Sequence, residues 1–393
     1  MIVFTYPGQG SQKPGMGAAW ADHPSWELVE EASDAAGRDV ARLLLEAEAD
    51  ELKETHNAQL STFVLSMVTL DAVSRLGAEA AGHAGHSLGE YSALTASGAI
   101  DFSDAVQLVT ERGNAMRAAA DEKPGAMAAI LGLDDDQVEI ACARVADDVW
   151  VANFNAPGQV VIAGTAEAVA KANEVAKELG AKRAMPLPVG GAFHTPLMKP
   201  ARERLAKAID QVEIRDVDTS VIANVDAAEH TAGADWADLL NAQLTSPVRW
   251  KQSLHTMADL GFSTFVELGP GKVLTGMAKR TIKASKQLSI SSPDDLDSFL
   301  EALAGQPAGE VGQLEGEHLF AIERLVVSPM AGVFTKAEDH VEDDALIAAG
   351  DLVGYVGTTE VRSPFAGQLK GFLAHEGERV TSSQPLAWLQ VRT

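Results

Sequence analysis

The stretch Gly85-His86-Ser87-Leu88-Gly89-Glu90-Tyr91-Ser92-Ala93-Leu94 decides how the rest of the chain is read. Its first five residues have the form G-x-S-x-G, in which a strand bends sharply into a helix with a serine at the bend. Glycine on both sides removes the Cβ atoms that would collide with neighbouring backbone at so tight a turn. The serine hydroxyl is lifted clear of the main chain, at a helix N-terminus whose free N–H groups and dipole favour a developing negative charge. Standing alone, the same five residues also fit a surface turn before a helix, so the reading rests on what surrounds them.

The surroundings begin with bulk properties. The chain has 393 residues, 46% of them hydrophobic, enough for two or three domains with a large core. A formal net charge of -25 argues against nucleic acid or an anionic membrane as partners of the whole surface. Cys142 is the single cysteine, which excludes a disulfide framework and a thiolate metal cluster. Residues 2–5 read directly as a strand, without the basic stretch and apolar core of a signal peptide. No apolar run approaches the roughly 20 residues of a spanning helix. A soluble, cytoplasmic protein is expected.

Upstream of the elbow, the strand 2–5 breaks into a glycine-rich loop, Tyr6-Pro-Gly-Gln-Gly-Ser-Gln12. Such a loop can present N–H groups to an anion, but it lacks the lysine and spacing of a phosphate loop. Helical patterns cover 26–53 and 57–76, the second with Leu60, Val64, Met67, Val68 and Val73 along one face. The strand expected at 80–85 is poor in β-branched residues. Downstream, Ser103 is the expected cap of a helix that carries Arg112 among apolar neighbours, where an exposed surface arginine is the commoner case.

Between Pro124-Gly125 and the Pro188-Val-Gly-Gly191 run the pattern becomes β (126–131), α (134–146), β (149–154), β (159–163), α (to Leu179) and β (182–187). This βαββαβ order is a ferredoxin-like unit inserted into the first domain at about 125–189. It is followed by Gly190-Gly-Ala-Phe-His-Thr-Pro-Leu-Met198, where a glycine pair and Thr-Pro make His194 a poor core residue and a better functional one. A packed polar histidine is otherwise the commoner case among the ten present. A helix (199–209), a strand (219–223), a helical segment holding Gln243, and a strand (262–268) ending in Gly269-Pro-Gly-Lys272 complete this part.

Residues 305–318 lack apolar periodicity and read as a linker. Beyond them Ser328-Pro-Met-Ala-Gly332 recurs as Ser363-Pro-Phe-Ala-Gly367, each followed by short alternating strands. Two such halves suggest a small all-β sandwich.

Residues 1–304 resemble the malonyl-CoA:acyl carrier protein transacylases. The resemblance is carried by YPGQGSQ (6–12), GHSLGEYSAL (85–94), Arg112-Gly113, GAMAAILGL (125–133), NAPGQVVIAG (155–164), GAFHTPLMKP (191–200), QLTSPVRW (243–250) and ELGPGKVLTGMAKR (267–280). It implies an α/β-hydrolase-like core with the inserted ferredoxin-like subdomain, and transfer of a malonyl group from malonyl-CoA to the phosphopantetheine thiol of acyl carrier protein in fatty acid biosynthesis. By the same resemblance Ser87 is the nucleophile and His194 its general base. The backbone carbonyl of Gln243 orients the imidazole in place of a carboxylate, and the N–H groups of Gln9 and Leu88 form the oxyanion hole. Arg112 pairs with the malonyl carboxylate, and Phe193 crowds the α-carbon in the malonyl-type pocket. No cofactor or metal is implied.

Residues 319–393 resemble biotinyl/lipoyl carrier domains but depart from them where the carried group attaches. The turn Gly357-Thr-Thr-Glu360 is short, and no lysine occurs between Lys336 and Lys370. The module is read as a carrier fold without its group, with docking to another subunit as its expected role. Two other activities share the elbow and histidine: an acyltransferase of a polyketide or other malonate-using system, and a serine thioesterase or esterase. The second has no need of Arg112. Between Gly269 and Pro293 five basic residues (Lys272, Lys279, Arg280, Lys283, Lys286) and no acidic one make a candidate dock for an acidic carrier protein.

Overall fold

The structure, a computed structural model, describes residues 1–304, 323–337, 345–381 and 384–390. The chain divides into two compact units, Met1–Pro307 and Ala308–Thr393. The expected linker 305–318 lies outside the described residues, as do residues 319–322.

The first unit is mixed α/β. Its strands are β1 (Ile2–Tyr6), β2 (Gly82–Gly85), β3 (Ala126–Leu131), β4 (Val149–Ala156), β5 (Gln159–Gly164), β6 (Arg183–Pro186), β7 (Ser220–Ile222), β8 (Glu229–His230), β9 (Thr264–Leu268) and β10 (Lys286–Ile290). One six-stranded sheet has the order β10-β9-β1-β2-β7-β8. Its first five strands run parallel, and β8 closes the edge antiparallel to β7. Parallel strands need both faces covered, and β1, β2 and β9 are buried accordingly. The poor β propensity of Gly82-His83-Ala84-Gly85 is overridden by position: β2 lies between β1 and β7, and a Cβ on Gly82 would sit 2.5 Å from the Phe262 ring.

Helix Thr55–Arg75 is buried around nearly its whole circumference and packs on helix Phe102–Glu122. The latter begins two residues earlier than expected, with Asp101 rather than Ser103 at its N-cap. The helical pattern expected over 26–53 is three helices, Glu27–Ala36, Val40–Leu45 and Ala49–Lys53. Gly37, left-handed at φ 60°, stops the first, and Asp39 caps the second by accepting from Arg42 N–H at 2.8 Å.

Strands β3 to β6 form a separate antiparallel sheet of order β4-β5-β3-β6, interleaved with helices Asp135–Ala143 and Ala166–Glu178. It has its own core, including Ile130, Val138, Ile162 and Val169. Main-chain bonds fasten it to the segment before helix Trp250–Asp259: Phe154 N–H donates to Val248 O and Val248 N–H to Ala152 O, both at 2.9 Å. The Lys251–Asp135 ion pair adds to that seam.

In the second unit every regular element among the described residues is a strand: β11 (Glu323–Val327), β12 (Gly332–Lys336), β13 (Leu346–Ile347), β14 (Leu352–Val356), β15 (Thr359–Arg362), β16 (Gly367–Phe372), β17 (Arg379–Val380) and β18 (Pro385–Gln390). They make two four-stranded sheets, β11-β18-β16-β13 and β15-β14-β12-β17, with Val326, Phe334, Val353, Leu369 and Leu386 in the core. The repeated Ser-Pro phrases are built alike. Buried Ser328 Oγ donates to Met330 O at 2.6 Å, and buried Ser363 Oγ to Phe365 O at 2.7 Å.

Candidate active site

Three glycines allow the elbow to form. A Cβ on Gly85 would lie 1.8 Å from the Gly89 carbonyl group, and one on Gly89 would lie 2.1 Å from Tyr6 O. A Cβ on Gly8 would lie 2.5 Å from His86 O, so the loop carrying Gln9 can reach the bend only as glycine. Ser87 takes φ 53°, a left-handed conformation that costs a non-glycine residue about 1–2 kcal/mol. Asn224, just after β7, holds it there: its Oδ1 accepts from Ser87 N–H at 2.6 Å and its Nδ2 donates to Gly85 O at 2.7 Å.

His194 stands opposite, also left-handed at φ 61° and buried. Its Nδ1 is 2.9 Å from the main-chain oxygen of Gln243, and its Nε2 is 2.8 Å from Ser87 Oγ. A carbonyl oxygen only accepts, so Nδ1 carries the proton and Nε2 presents its lone pair to the Ser87 hydroxyl. Burial, reinforced by the Arg112 cation, lowers the imidazole to about 3 and keeps it neutral.

Arg112, on helix Phe102–Glu122, is 1% exposed. Its Nη1 donates to Gln59 Oε1 at 2.6 Å, and its Nη2 donates to Gln243 Oε1 at 2.8 Å and to Ser87 Oγ at 3.1 Å. Its guanidinium also lies 5.5 Å from the centre of the Tyr91 ring. These partners are neutral, so the cation meets the cleft without a directly paired anion.

Ser87, Arg112, His194, Phe193, Gln9 and Leu88 all line one cavity of about 310 Å³. Met127, Ala129 and Val161 of the inserted sheet form its other side. Leu88 is the N-cap residue of the elbow helix Gly89–Ala96. Gln243 stands behind the cavity, fully buried. His86 Nε2 donates to Asn155 Oδ1 at 2.8 Å, bridging elbow and insert, and the ring meets that of Trp250 edge-on.

Sequence reading did not single out Gln59, Glu90, Asn155 or Asn224, nor the side chain of Gln243. Only Glu90 left a signal, an acidic residue inside the apolar run Leu88–Leu94. Asn224 and Gln59 come from strand end and helix face respectively, and only folding brings them to Ser87. Among the described residues no group of His, Cys, Asp and Glu is arranged to hold a metal, and no helix is long and apolar enough to cross a membrane.

The geometry can be set beside known proteins. The family model described as "Acyl transferase domain" matches residues 3–308. The malonyl CoA-acyl carrier protein transacylase of Bacillus subtilis is 43% identical over 307 residues, 77% of this chain and 97% of that protein. That of Escherichia coli K12 is 44% identical, covering 76% and 99%. The crystal structure of an acyl carrier protein S-malonyltransferase from Vibrio cholerae superposes with a TM-score of 0.73 at 40% identity, over 76% of this chain and 99% of that one. A malonyl-transacylase solved in complex with its type II PKS acyl-carrier protein does so at 0.74 and 38%, over 77% and 99%. With the model spanning residues 3–308 and relatives matched over nearly their whole length, the chain belongs to the acyl transferase domain family.

Proposed function

We propose that this chain transfers the malonyl group of malonyl-CoA to the phosphopantetheine thiol of acyl carrier protein, through a malonyl ester on Ser87, in fatty acid biosynthesis. The observation that carries the proposal is that Ser87 Oγ sits within hydrogen-bond reach of both a neutral histidine and a buried arginine, at 2.8 and 3.1 Å. In the first half-reaction Ser87 Oγ attacks the thioester carbonyl while His194 Nε2 takes the hydroxyl proton. The tetrahedral oxyanion faces the N–H groups of Gln9 and Leu88. Collapse breaks the C–S bond, and the departing thiolate takes the proton back from His194. The second half-reaction runs the same steps in reverse, with the carrier thiol as nucleophile.

Arg112 offers the malonyl carboxylate a fork of N–H donors, a geometry an ammonium lacks. The pairing also acts on the base. Arg112 is one cause of the lowered basicity of His194, so a carboxylate that neutralises the guanidinium returns basicity to the imidazole as substrate arrives. Phe193, buried against Gly191, bounds the space at the α-carbon.

The proposal extends to the architecture: an α/β-hydrolase-like core over 1–304, a ferredoxin-like insert at about 125–189, and a biotinyl/lipoyl-like sandwich over 319–393 that serves docking without a carried group. Cytoplasmic residence belongs to it as well. Lys272, Lys279, Arg280 and Lys283 are the proposed dock for the carrier protein. Lys286 contributes less, because its ammonium is tied to Ala302 O. A second reading, a polyketide carrier as acceptor, is favoured by the likeness to the complex with a type II PKS acyl-carrier protein.

Incubation with malonyl-CoA alone, followed by intact mass measurement, tests the activity. A persistent malonyl adduct on Ser87 is expected, discharged by added carrier protein. Free malonate with no adduct would instead identify a thioesterase.

A further inference from the structure

Behind Ser87 lies one ionisable group that the transfer chemistry leaves unused. Glu90, in the first turn of the elbow helix, is 0% exposed. Its Oε1 accepts from Asn224 N–H at 2.6 Å and its Oε2 from Gln243 Nε2 at 2.5 Å. The Gln243 amide is thereby given one orientation. Its Nε2 faces two acceptors, Glu90 and Ser87 O (2.9 Å), while its Oε1 faces the Arg112 guanidinium. A carboxylate has only acceptors to offer, so it enforces this polarity. A neutral amide at position 90 would keep its oxygen on Asn224 N–H and turn its own NH2 toward Gln243. Two donors would then oppose each other there, or Gln243 would flip and set a donor against Arg112.

We infer that Glu90 is a positioning residue that, through the Gln243 amide, holds the Arg112 guanidinium beside Ser87, and that preference for an acyl group bearing a free carboxylate requires Glu90 to be ionised. The inference rests on the malonyl-transfer reading above. Glu90 reaches no substrate atom itself; it acts two hydrogen bonds away.

The environment makes this arrangement sensitive to pH. Burial pushes the Glu90 carboxyl up to about 7, against the opposing pull of its hydrogen bonds and of Arg112. The charged groups facing it are Arg112 from helix Phe102–Glu122 and Asp226 from the turn after β7, which raises it further, with the Tyr91 phenol beside it in sequence. Each Glu90 oxygen receives one N–H in a charge-assisted bond. Lowering the pH through about 7 removes that charge and weakens the hold on the Gln243 amide. His194, held down to about 3 while the cleft is empty, does not titrate in that window before an acyl group binds.

The test is the ratio of malonyl-CoA to acetyl-CoA self-acylation efficiency on the full chain, measured by intact mass between about pH 5.5 and about pH 8.5. In the unaltered protein the ratio should fall about tenfold as the pH drops across this range. Glu90→Gln should lower it about 10- to 100-fold at the alkaline end and flatten its pH profile, whereas Glu90→Asp, which keeps an ionisable acceptor, should retain a profile. Gln243→Met, which keeps the main-chain carbonyl but removes the amide, should also flatten it. Glu90→Gln added to Gln243→Met should then lower the ratio no further, since neighbours acting in series are not additive. A parallel loss with both thioesters, an unflattened profile in Gln243→Met, or additive effects in the double variant would overturn the inference. The unaltered chain and Gln243→Met decide the matter even where Glu90→Gln does not fold. An unaltered protein that forms a malonyl adduct but shows a flat ratio refutes only this inference; no adduct at any pH refutes the transfer reading and this with it.

Discussion

In Met1–Pro307 the tight turn between β2 and the elbow helix is made by Ser87 at φ 53°, whereas in Ala308–Thr393 the turn between β14 and β15 is made by Gly357 at φ 63°. The two backbones take nearly the same φ. Glycine adopts it without penalty, and a serine does so only if its surroundings hold it there. At Ser87 they do: Asn224 Oδ1 fixes the N–H, Gln243 Nε2 fixes the C=O, and Gly85 and Gly89 leave no room for another path. Around Gly357 an added Cβ would meet nothing within 4 Å. At Ser87, and again at His194 with φ 61°, the left-handed backbone delivers a side chain to the cavity, although Ala227 at φ 59° shows that the conformation is not confined to such places. At Gly357 the turn delivers nothing and glycine suffices.

The sharpest way to break the comparison is to remove what the strained turn delivers. Ser87→Ala should abolish the malonyl adduct while leaving the fold intact, read by intact mass and by circular dichroism. Arg112→Ala should lower malonyl transfer by about two to three orders of magnitude and shift relative preference toward acetyl-CoA, because a carboxylate would be desolvated without a partner. Unchanged malonyl preference in that variant would remove Arg112 from the site.

The turns themselves can be compared by one methyl group each. Gly85→Ala forces a Cβ into the Gly89 backbone and should lower stability by more than about 3 kcal/mol, or prevent folding of the first unit. Gly357→Ala meets open space and should cost only the left-handed backbone penalty, about 1 kcal/mol. Thermal melts of the two variants measure the difference directly.

How much of this could be read in advance follows from the same contrast. The elbow and His194 were legible because their chemistry is local: glycines at fixed spacing and a histidine beside Gly-Gly; Arg112, which by itself fits an exposed helix arginine, was pointed to only by the family resemblance. The polar shell was not, because Glu90, Asn224 and the Gln243 side chain meet only after β2, β7 and helix Gly233–Gln243 have packed. Helix ends within 26–53 were left unread although their signals are local: Gly37 stops the first helix and Asp39 caps the second. Strand β2 shows the reverse case, a segment with weak local preference that forms because both neighbours pair with it.

Acid should separate the two units more gently. Burial lowers His83 to about 4 and His194 to about 3, both below the unfolded value near 6.5, so as pH falls below about 6.5 the unfolded chain binds the extra protons and the first unit loses stability. Glu90, raised to about 7, works in the opposite direction over the same range and cancels part of the loss. The net effect should be about 1–2 kcal/mol by about pH 5, a drop of a few degrees in the melting of the first unit. In the second unit the one histidine among the described residues, His375, is exposed, and its melting should not follow. Parallel shifts of both transitions in calorimetry would contradict the assignment. Charge reversal at Lys279 and Arg280 should be milder still, raising KM for the carrier protein several-fold and leaving KM for malonyl-CoA unchanged.

The smallest effect is expected from removing the second unit altogether. Its described core, from Val326 to Leu389, is closed on itself, while every residue lining the cavity lies between Gly8 and Met277. Helix Asp295–Ala304 still belongs to the first unit, with Phe299 buried in its main core, so a cut after Ala304 keeps that anchor. The turn at Gly357 offers no amine, and the lysines that flank it in sequence are engaged within the sheets: Lys336 lies over the Phe372 ring at 4.4 Å and Lys370 bonds Gln368 at 3.1 Å. Truncation after Ala304 should therefore leave malonyl transfer within about threefold of the full chain, a change smaller than about 1 kcal/mol. A folded but inactive truncated protein would show that the second unit takes part in catalysis, and a biotin signal on an avidin blot of the full chain would show that one of its lysines is modified after all.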